Sequence, residues 1–238
     1  MTRRSLITVA VFTAAASVVS AQAPDRSKPP ATGPAPVLKL PAIQKRALGN
    51  GLPVWIVELH KVPVAQINLV VLGGSADDPA GKYGVASLTA MMLEEGAGSR
   101  SSLEIADAID FLGADLSAGS GVDSIGVRLH VPVARLADAL PIMADVALRP
   151  TFPRDELERL RQQRLTSLIQ ARDDASTIAS LSFSKVLYGS GHRFGTATMG
   201  TAETIKSFTP DDLRAFYTSV DELGRYALDD FVTHRRAG

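Results

Sequence analysis

The sequence has no cysteine among its 238 residues. This excludes disulfides, thiolate zinc sites, a cysteine nucleophile and lipoprotein acylation. Apolar residues still make up 45% of the chain and charged residues 21%, which is the balance of an ordinary globular protein. We therefore expect a packed core that needs no covalent cross-links.

Net charge is also missing. The chain has 25 Lys and Arg residues against 25 Asp and Glu residues, which gives a formal charge of zero. No basic run or stripe interrupts this balance. Nucleic-acid binding is excluded because it depends on clustered positive charge.

The N-terminus has the pattern of an export signal. Arg3 and Arg4 precede an apolar stretch from Leu6 to Val19, and Val19-Ser20-Ala21 supplies the small residues of a cleavage site. The apolar stretch is shorter than the roughly 20 residues of a membrane span. We predict a signal peptide over residues 1–21, cleaved after Ala21, with retention as an anchor as the alternative. Since exported proteins without cysteine are typical of bacterial envelopes, the predicted location is periplasmic or secreted.

Composition divides the rest of the chain into three parts. Residues 22–41 hold six of the 14 prolines and are predicted to form an extended linker. A folded domain is expected over residues 42–219. Residues 220–238 show no strand alternation and are expected to form an irregular tail, for which a natural end, a truncation and a frame shift all stay open.

Local patterns predict the order of elements in the domain. Alternating apolar residues, turn residues and helix caps predict strands and helices. The predicted strands are Gln44–Leu48, Pro53–Leu59, Val64–Leu72, Ala114–Ser120 and Ser124–Val131, and the predicted helices are Tyr83–Glu94, Leu103–Leu112, Val133–Ala147, Pro153–Arg172, Ala175–Tyr188 and one that begins at Thr209. This order favours an α+β fold, with a mainly antiparallel sheet and helices packed on one face.

Several short strings occur in a characteristic order along this domain. They are Leu48-Gly49-Asn50-Gly51-Leu52 with Val54, Gly73-Gly74-Ser75 with Asp78, Gly84-Val85-Ala86, Leu187-Tyr188-Gly189, His192, Phe194-Gly195 and Met199-Gly200. Together they resemble the N-terminal domain of the insulinase, pitrilysin and mitochondrial processing peptidase family over about residues 42–219. The resemblance implies the half-unit fold of those zinc peptidases.

The resemblance also implies a His-x-x-Glu-His zinc motif on the helix after Gly84-Val85-Ala86. In this sequence Ser87 and Met91 stand at the first and second histidines of that motif, and Ala90 stands at its glutamate. Serine and a neutral thioether are poor zinc ligands, and alanine has no functional group. A further glutamate is implied about 75 residues later, but Arg164–Arg172 contains no carboxylate, and Gln170 is the closest to it in shape. We predict no catalytic residue, no metal ligand and no cofactor.

Other candidate sites are weak. The histidines are His60, His130, His192 and His234, all more than 40 positions apart, so none can form a helical pair. A site built from distant residues, such as His60 with Glu94 and Glu95, is conceivable, but a solvated helix end is the simpler interpretation of the two glutamates. Ser87 lacks the Gly-x-Ser-x-Gly elbow of a serine hydrolase.

The sequence therefore favours a protein that is not an enzyme. By resemblance, it is a non-catalytic subunit that forms a peptide-binding chamber with a catalytic peptidase chain of the same family in the bacterial envelope. One alternative is a truncated fragment of a two-domain family member without activity of its own. An active zinc metalloendopeptidase is the disfavoured alternative because its motif is absent.

Overall fold

The structure is a computed structural model that describes residue 33 and residues 41–220. The chain divides into two units, Met1–Leu40 and Pro41–Gly238, and the architecture below belongs to the second. The predicted signal peptide, nearly all of the linker, and the tail after Val220 lie outside the described residues.

The domain begins with an antiparallel hairpin. Strand β1 (Ile43–Ala47) pairs with β2 (Pro53–Val57), with Ile43 opposite Val57. Gly51 in the connection has a φ of +88°, and Asn50 Oδ1 accepts from Leu52 N at 2.9 Å. The turn predicted from Asn50-Gly51 is confirmed, since this backbone conformation favours glycine.

A three-stranded antiparallel sheet forms the centre of the domain. Its strands are β3 (Val64–Leu72), β6 (Asp115–Ser120) and β7 (Ser124–Pro132), in the order β3-β7-β6. Val64 lies opposite Pro132 and Asp115 opposite His130. Two short strands, β4 (Gly96–Ala97) and β5 (Arg100–Ser101), form a separate pair that the sequence patterns did not predict.

The described residues also form seven helices. They are α1 (Val85–Met92), α2 (Ser102–Phe111), α3 (Leu136–Leu148), α4 (Arg154–Gln170), α5 (Ala175–Tyr188), α6 (Ala202–Ser207) and α7 (residues 210–220). The predicted capping box holds at α2, where Ser101 Oγ accepts from Glu104 N and Glu104 accepts from Ser101 N. Helix α6 was not predicted. Helix α3 begins later than predicted because Val133–Arg135 forms a 3-10 turn.

The core lies between the sheet and the helices. Along β7, Ile125, Val127, Leu129 and Val131 are buried, while alternate residues face outward. Helices α1 and α3 pack on β7, and the apolar residues of α1 and α3 are buried with those of β7 in one cluster. The predicted α+β class, with an antiparallel sheet and helices on one face, is confirmed. Within residues 41–220, no helix is both long and apolar enough to cross a bilayer.

Candidate functional site

Helix α1 is the element on which the resemblance places a metal motif, and a buried aspartate fixes its start. The Asp78 side chain is completely buried and pairs with Arg193 Nη2 at 2.7 Å. It also accepts from Gly84 N at 2.7 Å and Ala86 N at 2.9 Å. These N–H groups lie at the helix N-terminus, where no intrahelical acceptor exists. Asp78 therefore determines where α1 begins.

The residue before α1 must be glycine. Gly84 has a φ of +96°, and a Cβ there would lie 2.7 Å from Met199 O. Thr204 Oγ1 donates to the neighbouring Tyr83 O at 2.8 Å. The segment from Met199 to Thr204 thus packs against the start of α1, and together with Asp78 it sets the direction of the helix.

The predicted motif positions lie on one side of α1. Ser87 and Met91 are the two residues of α1 that remain partly exposed, whereas Ala90 is completely buried. An i, i+4 pair faces one way along a helix. The structure therefore places Ser87 and Met91 together, as the motif spacing predicts.

The residue that reaches them from α4 is Arg164. Its Nη2 donates to Ser87 Oγ at 3.0 Å and also contacts Met91 Sδ. Arg164 follows Ser87 by 77 positions, close to the spacing implied for the later glutamate. Gln170, which was expected to be the closest substitute, is exposed at the end of α4. The sequence gives no signal for Arg164, since the resemblance implies a carboxylate at this spacing.

These residues do not fit a zinc ion. A hydroxyl and a thioether are poor ligands for zinc, which binds thiolate, imidazole and carboxylate groups. The adjacent guanidinium is a permanent cation that would repel a second one. Among residues 41–220, no group of three or more His, Asp or Glu side chains is arranged to hold a metal.

Burial changes the electrostatics of this site. Arg164 is 8% exposed, and its burial lowers the pKa of the guanidinium. No carboxylate within the described part of the chain lies in ion-pair distance of it. Ser87 Oγ accepts from this cation, and among the described residues no general base is hydrogen-bonded to it.

The two glutamates after α1 are not a solvated helix end, so that interpretation was wrong. Glu94 Oε1 accepts from Ala118 N on strand β6. Its burial outweighs this hydrogen bond and raises the pKa of the carboxyl, and the nearby Glu95 and Asp115 add to the rise. Glu95 pairs with Arg159 Nη2 at 2.6 Å, and this contact raises the pKa of Arg159. Both carboxylates hold α1 against its neighbours.

The described histidines do not gather at this site. His60 is exposed and pairs with Glu58 at 3.2 Å, so it is not joined to Glu94 or Glu95. His130 is exposed on β7. His192 stacks on Tyr188 with ring centroids 5.7 Å apart, and its Nδ1 accepts from Phe194 N. His234 lies outside the described residues.

Comparisons with known proteins agree on one family. The sequence model of "Insulinase (Peptidase family M16)" matches residues 54–192, more than half of the chain. A curated protein of Helicobacter pylori, "Non-peptidase homolog YmxG", is 25% identical over 177 residues, covering 74% of this chain and 41% of its own length. The "Uncharacterized zinc protease Rv2782c" of Mycobacterium tuberculosis is 28% identical over 203 residues, covering 85% of this chain and 45% of its own.

A solved structure indicates the same family. The crystal structure of a peptidase M16 inactive domain from Pseudomonas fluorescens superposes with a TM-score of 0.69 at 33% identity, covering 73% of this chain and 42% of that one. The chain thus spans less than half of the length of these similar proteins.

Proposed function

Because the chain belongs to the insulinase family, peptidase family M16, we propose that it is a non-catalytic member that holds extended peptides. In this proposal it forms part of a chamber with a catalytic chain of the same family, in the bacterial envelope. The premise is consistent with its similarity to one protein named a non-peptidase homolog and to another described as an inactive domain.

The observation that carries the proposal is the contact of Arg164 with Ser87 and Met91. Zinc peptidases need three protein ligands and an open position for water. Here the ligand positions carry a hydroxyl and a thioether, the base position is a buried alanine, and a cation points at both ligand positions. No water can be activated by this set, so peptide binding without cleavage is the function that it supports.

Strand β6 supports the peptide-holding part of the proposal. It is an outer strand of the sheet as described, with β7 on its inner side. Ala118 N points away from β7 because it donates to Glu94. Since backbone groups alternate along an antiparallel strand, those of Leu116 and Ser120 point outward too. Ala118 N is already taken by Glu94, so an extended peptide could add here as a further strand through the groups of Leu116 and Ser120.

The exposed apolar side chains of helix α5 support the proposal of a partner chain. It has no buried residue, and its exposed apolar side chains are Ile178, Leu181, Phe183, Val186, Leu187 and Tyr188. At 100° per residue these side chains point to all sides of the helix. A helix that is apolar all round is normally buried, and large exposed apolar patches mark interaction sites. We infer that a second protein surface covers α5.

Metal content and peptidase activity test the proposal. The purified mature protein should contain no stoichiometric zinc by elemental analysis and should cleave no unfolded substrate such as casein. A family chain with an intact His-x-x-Glu-His, purified in the same way, is the control and should show both. One zinc ion per chain with chelator-sensitive cleavage would contradict the proposal and support the active-peptidase alternative.

Co-elution of the two chains tests the partner. Val186 is 86% exposed on α5, and Leu103 is 75% exposed on α2. We expect Val186→Asp to reduce co-elution with the catalytic chain, because it places a charge in an apolar contact. Leu103→Asp is the matched control and should leave co-elution unchanged. Equal behaviour of the two variants would argue against α5 as the contact surface.

A further inference from the structure

The guanidinium of Arg164 is a buried positive charge whose known contacts are neutral. They are a hydroxyl and a thioether, Ser87 Oγ and Met91 Sδ, and both are made by Nη2. The N–H groups of Nε and Nη1 have no acceptor within residues 41–220. The guanidinium therefore keeps hydrogen-bond donors for a ligand.

A neighbour on the same helix shows how unusual this is. Arg161 is 7% exposed, and it is fully engaged: it pairs with Glu158 and donates to Ile205 O and Phe208 O. Burying a charge without such partners costs several kcal/mol. Arg164 is 8% exposed, and within residues 41–220 it has no such charged or carbonyl partner.

The position of Arg164 gives a ligand access to it. Its two contacts are the two residues of α1 that remain partly exposed. The guanidinium thus lies at the boundary with solvent, beside the face of α1 that ends at Glu94 and strand β6. A peptide added to β6 would pass close to this boundary.

We propose that Arg164, with Ser87, binds one carboxylate of a peptide through the N–H groups left on its guanidinium. The site takes a single negative charge, because Arg164 is its one cation among the described residues and Arg159, earlier on α4, is already paired with Glu95 and Glu156. The carboxylate is either the C-terminal group of the peptide or an acidic side chain. This inference deepens the proposed function, but anion binding itself does not require the partner chain.

Acetate is the first probe. Thermal unfolding of the full chain is measured in sodium acetate and in sodium chloride of equal ionic strength at neutral pH. We expect the midpoint to be about 2–4 °C higher in acetate for the wild type, because a ligand that binds only the folded state stabilises it. Arg164→Met should lose this difference, whereas Arg154→Met, at an exposed arginine of α4, should keep it. Acetate also stabilises proteins in general, so the comparison between variants decides. An equal response in wild type and Arg164→Met, or no response in either, would overturn the site.

Labelled peptides then distinguish the two sources of the carboxylate. An extended peptide with uncharged side chains and a free C-terminus should bind about tenfold more tightly than its C-terminal amide if the α-carboxylate is the ligand. If an acidic side chain is the ligand, an amide that carries one glutamate should regain the affinity. Both gains should disappear in Arg164→Met. Peptide binding that ignores Arg164 would refute the carboxylate contact while leaving the proposed peptide-holding function intact.

Discussion

The two buried arginines of α4 give the sharpest test of the physical reasoning. Arg161 and Arg164 are about one turn apart and are 7% and 8% exposed. We expect Arg161→Met to destabilise the protein strongly and Arg164→Met to leave its stability nearly unchanged. Methionine has a similar length and no charge, so each change removes the guanidinium while most of the packing volume stays filled.

The expected loss for Arg161→Met follows from its acceptors. Arg161 donates to Ile205 O and to Phe208 O, the second at 2.7 Å, and both residues are almost completely buried. Each hydrogen bond from a charged donor contributes about 1.5–3 kcal/mol. The ion pair with Glu158, whose side chain is 52% exposed, adds less than about 1 kcal/mol. The free energy of unfolding should fall by about 3–7 kcal/mol.

Arg164→Met removes far less. It breaks one hydrogen bond from the charged guanidinium to Ser87 Oγ, which contributes about 1.5–3 kcal/mol, and a contact with Met91 Sδ. It also removes a charge whose burial is not compensated within the described residues, and this change is favourable. The net effect should lie within about 1 kcal/mol of zero.

Urea unfolding monitored by circular dichroism measures both values. Arg154→Met is the control, because Arg154 is exposed and its change should stay within about 0.5 kcal/mol. If Arg164→Met lost as much stability as Arg161→Met, the guanidinium of Arg164 would have a strong partner, and the assignment of an open anion site would be wrong.

Two further predictions concern carboxylates around α1. Glu94→Gln should stabilise the protein at neutral pH, since the Gln side chain still accepts from Ala118 N and carries no buried charge. Because the pKa of Glu94 is raised in the folded state, the stability that its carboxyl contributes is present at acid pH and is lost as the pH rises through that pKa. Urea unfolding between about pH 4 and pH 8 should therefore show the variant and the wild type converging in stability at the acid end. A difference that grew toward acid pH would contradict this sign. Asp78→Ala should cost about 3–5 kcal/mol because it removes the carboxylate that pairs with Arg193 and leaves two helix N–H groups without their acceptor. Asp211→Ala, at a 90% exposed side chain, should change stability by less than about 1 kcal/mol.

Strands and most helices could be predicted from local patterns. Strand β3 has the predicted bounds because its alternation is strict from Val64 to Leu72. Helix α1 is shorter than predicted at both ends. It cannot begin at Tyr83 because Gly84 is left-handed, and at the other end Glu95 N bonds back to Met92 O in a tighter turn. The strands β4 and β5 have two residues each, too few for any periodicity to show.

The candidate site was predictable only in part. The local spacing of Ser87 and Met91 gave their shared face, because that geometry belongs to a single helix. The contact of Arg164 with Ser87 and Met91 depends on how α4 packs on α1, and no local sequence pattern contains that information. Charged residues are usually expected at the surface, so the contact of Glu94 with the β6 backbone could not be predicted either.

The contacts that fix the position of α1 are separate from the side chains at its motif positions. Asp78, Gly84 and Thr204 hold its first turn through backbone groups, and none of these contacts uses the side chains at positions 87, 90 or 91. Mutations at those three positions can therefore exchange one chemistry for another without moving the scaffold. A hydrolase of this fold could lose its metal ligands in this way and keep the same backbone around them, which leaves those positions open to selection for recognition.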